Sequence, residues 1–182
     1  ESGVDAPWAH IQWSDNDVFP CWGKTMVFDT TNNLVTPPNY DVFDRWVKSR
    51  PEAKYYAILG GVSDNWQGAP IGSDAFKQRL TAVMKHWAAH MREIGIDPAK
   101  IVLCLIDEPQ TASAARLILG WGEVIRAAVP EFKFFVDSLY KPGSFADPTV
   151  LKMFDLMDII VPGTSYAYQN FGQAAVDFYG KL

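Results

Sequence analysis

Apolar residues in this chain form short runs, separated by stretches in which they recur with helical spacing. The strongest run covers residues 101–106 and is rich in β-branched side chains. A continuous apolar run of this length, bounded by polar residues, is typical of a strand buried on both faces of a parallel sheet. On this pattern we predict strands at residues 11–13, 25–28, 55–59, 101–106, 132–136 and 159–161.

Helical periodicity fills most of the intervals between these runs. It is clearest over residues 73–94, where an apolar stripe runs from Phe76 to Met91. Ser73 is placed to cap the first turn of this helix, and Gly95 to end the last. We predict further helices at residues 40–49, 112–128, 148–154 and 169–179.

Strands that alternate with helices predict an α/β fold around a parallel sheet with right-handed crossovers. An open doubly wound sheet and a (β/α) barrel both have this order of elements. No glycine fingerprint for phosphate binding follows the first predicted strand, while acidic and aromatic residues follow nearly every strand, which favours the barrel. The chain has 182 residues, whereas a complete eightfold barrel takes about 250. We therefore predict one domain over residues 1–182, a TIM-barrel-like fold of five or six βα units that is incomplete.

The amino-acid composition argues against some classes of binding partner. The net charge of −5 argues against a general nucleic-acid surface, which needs a basic footprint. No apolar run approaches the roughly 20 residues that span a bilayer, and the first residues lack the basic and apolar parts of a cleavable signal. The two cysteines do not indicate a disulfide framework.

The sequence Asp107-Glu108-Pro109 directly follows the most apolar predicted strand. In parallel α/β architectures the active site lies at the carboxyl ends of the strands, so charge at this point favours a catalytic role. Helix capping is the structural alternative, but Thr111 is better placed to cap the next helix than either acid. Pro109 cannot donate to a sheet ladder and so ends the strand. We predict that Asp107 and Glu108 are a functional carboxylate pair.

Residues 105–109, with the sequence Leu-Ile-Asp-Glu-Pro, resemble the motif after the fourth barrel strand in glycoside hydrolases that act on 2-acetamido sugars. The likeness is greatest to the family 123 hexosaminidases, and the pair is shared with family 20. The resemblance implies a retaining, substrate-assisted mechanism, in which the substrate's acetamido oxygen attacks the anomeric carbon. Glu108 would then be the general acid and base, and Asp107 would orient the acetamido group. It implies no metal or cofactor, an oligosaccharide or glycan substrate, and a secreted or extracytoplasmic location.

Loops after the other predicted strands carry aromatic and polar side chains suited to a carbohydrate cleft, because rings stack on sugar faces and carboxylates and amides bind hydroxyls. For each of these residues the alternative is that it simply packs at the edge of the core. The predicted substrate contacts are Tyr166, Tyr168, Asp137, Tyr140, Trp66, Gln67, Asp29 and Trp13.

The sequence is also compatible with other functions. A double-displacement glycosidase would keep Glu108 as acid and base but needs a nucleophile that these strands do not supply. A non-catalytic carbohydrate-binding barrel fragment is the second alternative, with self-association or a partner chain covering the open barrel edge. His86 and His90 lack the intervening Glu of a zinc-protease motif and are interpreted as a helix face. No nucleophile-elbow motif is present.

Overall fold

The computed structural model describes residues 6–9, 26–163 and 169–181. The predicted strand at residues 11–13 and the predicted contacts Trp13, Tyr166 and Tyr168 lie outside the described residues. In chain order the elements are β1 (Trp8–Ala9), β2 (Val27–Phe28), β3 (Leu34–Thr36), α1 (Asp41–Lys48), β4 (Tyr56–Leu59), β5 (Asn65–Trp66), β6 (Ala69–Pro70), α2 (Asp74–Glu93), β7 (Ile101–Cys104), α3 (Ala112–Ala128), β8 (Lys133–Ser138), α4 (Pro148–Leu156), β9 (Ile159–Pro162) and α5 (Gln173–Tyr179).

A parallel sheet with strand order β1-β4-β7-β8-β9 forms the centre of the molecule. Every pair of neighbours is parallel, and each strand lies beside the next sheet strand of the sequence. A doubly wound sheet reverses its strand order at a switch point, and the described strands show no such reversal. The predicted α/β class is confirmed, although the described strands do not close into a barrel.

The predicted sheet strand at residues 25–28 is wrong. Its observed part, β2, pairs antiparallel with β3 and forms a separate hairpin. The polar turn between them explains the difference, because Asp29 Oδ1 accepts hydrogen bonds from the backbone N–H groups of Thr31 at 2.8 Å and Asn33 at 2.9 Å. Such a side-chain turn lets the chain fold back locally. Consequently β7 is the third strand of the described sheet and not the fourth.

The core fills the space between the sheet and helices α2 and α3 with large rings. Phe76 and Trp121 meet edge to face with centroids 4.9 Å apart, and Trp87 meets Phe132 at 5.6 Å. All four side chains are fully buried. Each such ring pair contributes about 0.5–1.5 kcal/mol beyond the area that it buries, so these contacts join α2 to α3 and to the residue that precedes β8.

Capping residues set the helix ends where the sequence predicted them. Ser73 accepts a hydrogen bond from the Phe76 N–H at the start of α2, and Thr111 accepts one from the Ala114 N–H at the start of α3. Gly95, at φ +80°, takes the left-handed conformation after α2 that glycine tolerates without strain. None of the described helices combines the length and apolar character that crossing a membrane requires.

Arg126 of α3 joins the end of α4 to the start of β8. Its guanidinium donates to the Phe132 carbonyl at 2.7 Å, to the Leu156 carbonyl at 3.1 Å and to the Asp158 carboxylate. Asp158 also accepts the Phe134 N–H at 2.7 Å. The exposed Arg92–Glu131 pair, in contrast, makes a single contact at 2.6 Å.

We predict that Arg126→Met lowers the free energy of unfolding by about 2 kcal/mol or more, because it leaves two carbonyls and a partly buried carboxylate without their charged donor. Arg92→Met is the matched control and should cost under about 1 kcal/mol, as exposed ion pairs do. Urea unfolding of both variants measures this difference, and equal losses would contradict the prediction.

Candidate active site

The site is built on the loop that follows β7, residues 105–111, called the acidic loop below. The strand ends at Cys104, two residues earlier than predicted, and its last carbonyl accepts the Gly60 N–H at 2.6 Å. Leu105 is buried, whereas Asp107 and Glu108 are exposed. Both acids therefore lie past the carboxyl end of a fully buried strand, and the alternating directions of a strand no longer apply to them.

Glu108 has a left-handed backbone conformation with φ +45°. A residue with a β-carbon is strained there, at a cost of about 1–3 kcal/mol, and the conformation persists only when its surroundings hold it. Here the Glu108 N–H donates to Asp137 Oδ1 at 3.1 Å. The turn at Glu108 gives its side chain a direction that a continued strand would not provide.

Two further hydrogen bonds fasten the acidic loop to the end of β8 and the residues after it. The Pro109 carbonyl accepts the Leu139 N–H at 3.2 Å, and the Tyr140 hydroxyl donates to the Thr111 carbonyl at 3.1 Å. Pro109 itself is buried. The acidic loop is thus held at three points along its length by one neighbouring segment.

Asp137 lies beside both acids. Partial burial raises the pKa of the Asp137 carboxyl, and a hydrogen bond and charge from Asp107 raise it further, against the lowering effect of the Glu108 N–H. Asp107 and Asp137 are therefore a pair of neighbouring carboxyl groups in which ionisation of Asp137 is disfavoured.

Cys104 lies beneath this pair. Its Sγ is 3.4 Å from the Ile106 carbonyl oxygen and 4.0 Å from Asp137 Oδ1. Burial, with smaller effects of the Asp137 and Asp107 charges, raises the pKa of the Cys104 thiol far above its usual range. A thiol that stays protonated is a poor nucleophile, so Cys104 is a packed, neutral part of the site's floor.

Two predicted substrate contacts are placed elsewhere by the structure. Trp66 is 3% exposed and packs edge to face on Trp121 at 5.5 Å, because the β5–β6 hairpin folds back onto α2. Tyr140 is fully buried and pins the acidic loop through its hydroxyl. Both rings therefore belong to the core, and neither face is open to a sugar.

Gln67 and Asp29 lie in the turns of the two small hairpins. Gln67, at φ +52°, precedes Gly68 in the two-residue turn between β5 and β6, and its carbonyl accepts from Arg79 Nη1. Arg79 Nε also donates to Asn32 Oδ1 at 2.8 Å, which links the two hairpins. The Asn33 N–H, helped by Thr31, lowers the pKa of Asp29 to about 2. The hydrogen bonds of the Asp29 carboxylate thus stabilise the turn in which it lies.

The histidine pair lies on the α2 surface that faces α1. His90 Nε2 is 2.8 Å from Asp44 Oδ1, and His86 Nδ1 is 3.0 Å from the Tyr40 hydroxyl. The Tyr40 ring stacks on His90 with centroids 4.5 Å apart. These contacts join α2 to α1, as expected for histidines on a helix face that packs against another helix.

Sequence reasoning missed Cys104 as a member of the site and the left-handed turn at Glu108. No local signal marks either feature, since Cys104 is one of several apolar residues in its strand and Glu108 is an ordinary acid. Asp137 was predicted as a substrate contact from its position after a strand. The structure brings it against the acidic loop, where its Oδ1 accepts the Glu108 N–H and its carboxyl neighbours Asp107.

The chain matches no protein-family model, and a search of curated proteins finds none similar to it. Any functional conclusion therefore rests on the geometry around Asp107 and Glu108 together with the resemblance of residues 105–109.

Proposed function

We propose that this chain is a glycoside hydrolase domain, or part of one, that cleaves 2-acetamido-sugar glycosides by a retaining, substrate-assisted mechanism. The observation that carries the proposal is the pair Asp107 and Glu108 at the carboxyl end of a buried parallel strand, held there by hydrogen bonds from β8 and the residues after it. The resemblance of residues 105–109 to the family 123 hexosaminidases supplies the substrate class.

Glu108 is the general acid and base in this proposal. It is exposed, so its carboxyl can reach a glycosidic oxygen, and its backbone is held in one conformation. It protonates the leaving oxygen while the acetamido oxygen of the substrate closes on the anomeric carbon. It then removes a proton from the water that opens the resulting oxazolinium ring.

Asp107 stabilises the positive charge that develops on the acetamido group. A carboxylate beside the acetamido N–H accepts its hydrogen bond and favours the oxazolinium electrostatically. Asp107 must be ionised for this role. The pKa of the neighbouring Asp137 carboxyl is raised, mainly by burial, which disfavours a second negative charge beside Asp107.

The double-displacement alternative needs an ionised carboxylate nucleophile in addition to Glu108. Asp137 is a further acid beside Glu108, and burial raises the pKa of its carboxyl, which disfavours the ionised form that a nucleophile needs. This favours substrate assistance. In the remaining alternative, a binding fragment, Asp107 and Glu108 would contact sugar without cleaving it.

We also propose that the sheet is an arc of a (β/α) barrel. Five parallel strands in sequence order are what such an arc requires. Val161 of the edge strand β9 is 43% exposed, and Ile159 and Ile160 are only half buried. Apolar edge residues of this kind need cover, and further strands, self-association or a partner chain would provide it.

We expect hydrolysis of aryl 2-acetamido glycosides and little or none of the matching aryl glycosides that carry a hydroxyl at that position, because only the former contain the nucleophile. Release of the aryl alcohol measures both. Equal rates on the two series would refute substrate assistance and favour double displacement. No cleavage of any glycoside, combined with measurable sugar binding, would favour the binding fragment.

We predict that Glu108→Gln lowers turnover by about 10²–10⁴-fold on substrates with poor leaving groups, because those need protonation. The loss should shrink as the leaving group becomes more acidic. Glu93→Gln, an exposed glutamate at the end of α2, is the control and should leave turnover unchanged. A loss that is independent of the leaving group would argue against general acid catalysis by Glu108.

Asp107→Asn should slow 2-acetamido substrates by about 10²–10³-fold even with good leaving groups, because electrostatic stabilisation of the oxazolinium does not depend on the leaving group. The measurement is turnover across a series of aryl leaving groups. An effect confined to poor leaving groups would assign Asp107 to proton transfer instead.

A further inference from the structure

We propose that Asp137 is a positioning residue that holds Glu108 in its left-handed conformation and thereby sets the direction of the Glu108 side chain. The inference rests on the proposed function for its catalytic meaning. The hydrogen bond from Glu108 to Asp137 can be tested independently of the reaction, because it holds the acidic loop whether or not a glycoside is cleaved.

Asp137 is on the face of the sheet away from the helices. Along β8 the buried residues alternate with partly exposed ones, and Phe134 and Val136 belong to the helix-side core while Asp137 does not. Cys104 of the neighbouring strand is also outside that core cluster and lies beside Asp137. Asp137 therefore reaches the acidic loop from the same sheet face as Cys104.

The hydrogen bond between Glu108 and Asp137 stabilises a strained backbone conformation. Glu108 N–H donates to Asp137 Oδ1 at 3.1 Å, and the two residues are 29 positions apart in sequence. Without this acceptor the N–H of a strained residue has water as its partner, and the loop is free to relax toward an ordinary conformation. The acceptor oxygen of Asp137 thus helps to select the direction of the Glu108 side chain.

This hydrogen bond does not depend on a charge at Asp137, because a carboxyl oxygen can accept the Glu108 N–H in either protonation state. Among the described residues, the titratable groups placed beside Asp137 are Asp107 and Glu108 on the acidic loop and the Cys104 thiol on β7. An asparagine at this position keeps an acceptor, since its amide oxygen can take the Glu108 N–H.

The test compares Asp137→Asn with Asp137→Ala in the full chain. Asp155→Ala, an exposed acid on α4, is the control variant. Steady-state kinetics on aryl 2-acetamido glycosides give kcat and KM, and amide hydrogen exchange followed by NMR gives the protection of the Glu108 N–H. Circular dichroism establishes that each variant is folded.

We expect Asp137→Ala to lower kcat by about 10–100-fold with a smaller change in KM, because misplacement of the acid affects the reaction more than binding. Exchange at the Glu108 amide should accelerate at least about tenfold in the same variant. Asp137→Asn should stay within about threefold of the wild type in kcat and keep the Glu108 amide protected, since its side-chain oxygen can still accept the Glu108 N–H.

An asparagine variant that loses as much activity as the alanine variant would overturn the proposal and assign Asp137 a role that needs its charge. Unchanged protection of the Glu108 amide in Asp137→Ala would overturn it as well. Should no glycoside be cleaved by the wild type, the proposed function fails, and the exchange measurement alone decides the positioning role. Should Asp137→Ala not fold, the asparagine variant is compared with the wild type. Near-wild-type kcat would support the role as hydrogen-bond acceptor, and a large loss of kcat would indicate a role that needs the charge.

Discussion

The need of a parallel sheet to bury its faces governs the architecture of this protein. Strands β4 and β7 are buried along their whole length, and such strands are stable only when both faces are covered. On one side the cover is helices α2 and α3, whose buried Phe76, Trp87 and Trp121 belong to one core cluster with residues of β4 and β7.

The acidic loop shows how a rigid support allows local strain. Glu108 is held in an unfavourable backbone conformation by bonds to residues near the end of β8, and those residues are fixed in turn by the sheet. Tyr140 contributes through a fully buried ring whose hydroxyl bonds the Thr111 carbonyl. The strain is placed where the side chain needs a particular direction, which is the usual setting of such outliers.

Charge around the site follows from the same geometry. Asp137 meets Cys104 and Asp107, which lie on the neighbouring strand and the loop after it, and burial together with the nearby acidic charges raises the pKa of Asp137 and of the Cys104 thiol. In the proposed mechanism, the raised pKa of Asp137 disfavours a second negative charge beside Asp107.

Local sequence determined the α/β class, most element positions and the helix caps at Ser73 and Thr111, because hydrophobic periodicity and capping are short-range properties. It also identified Asp107 and Glu108 as the acids that follow a buried strand. Only the tertiary structure decided that residues 27–36 pair as a hairpin and that Trp66 and Tyr140 are core residues. It alone brought Asp137 to the acidic loop and beside Cys104. Strand pairing, burial and contacts between distant residues depend on which surfaces meet, and a linear pattern of residue types does not contain that information.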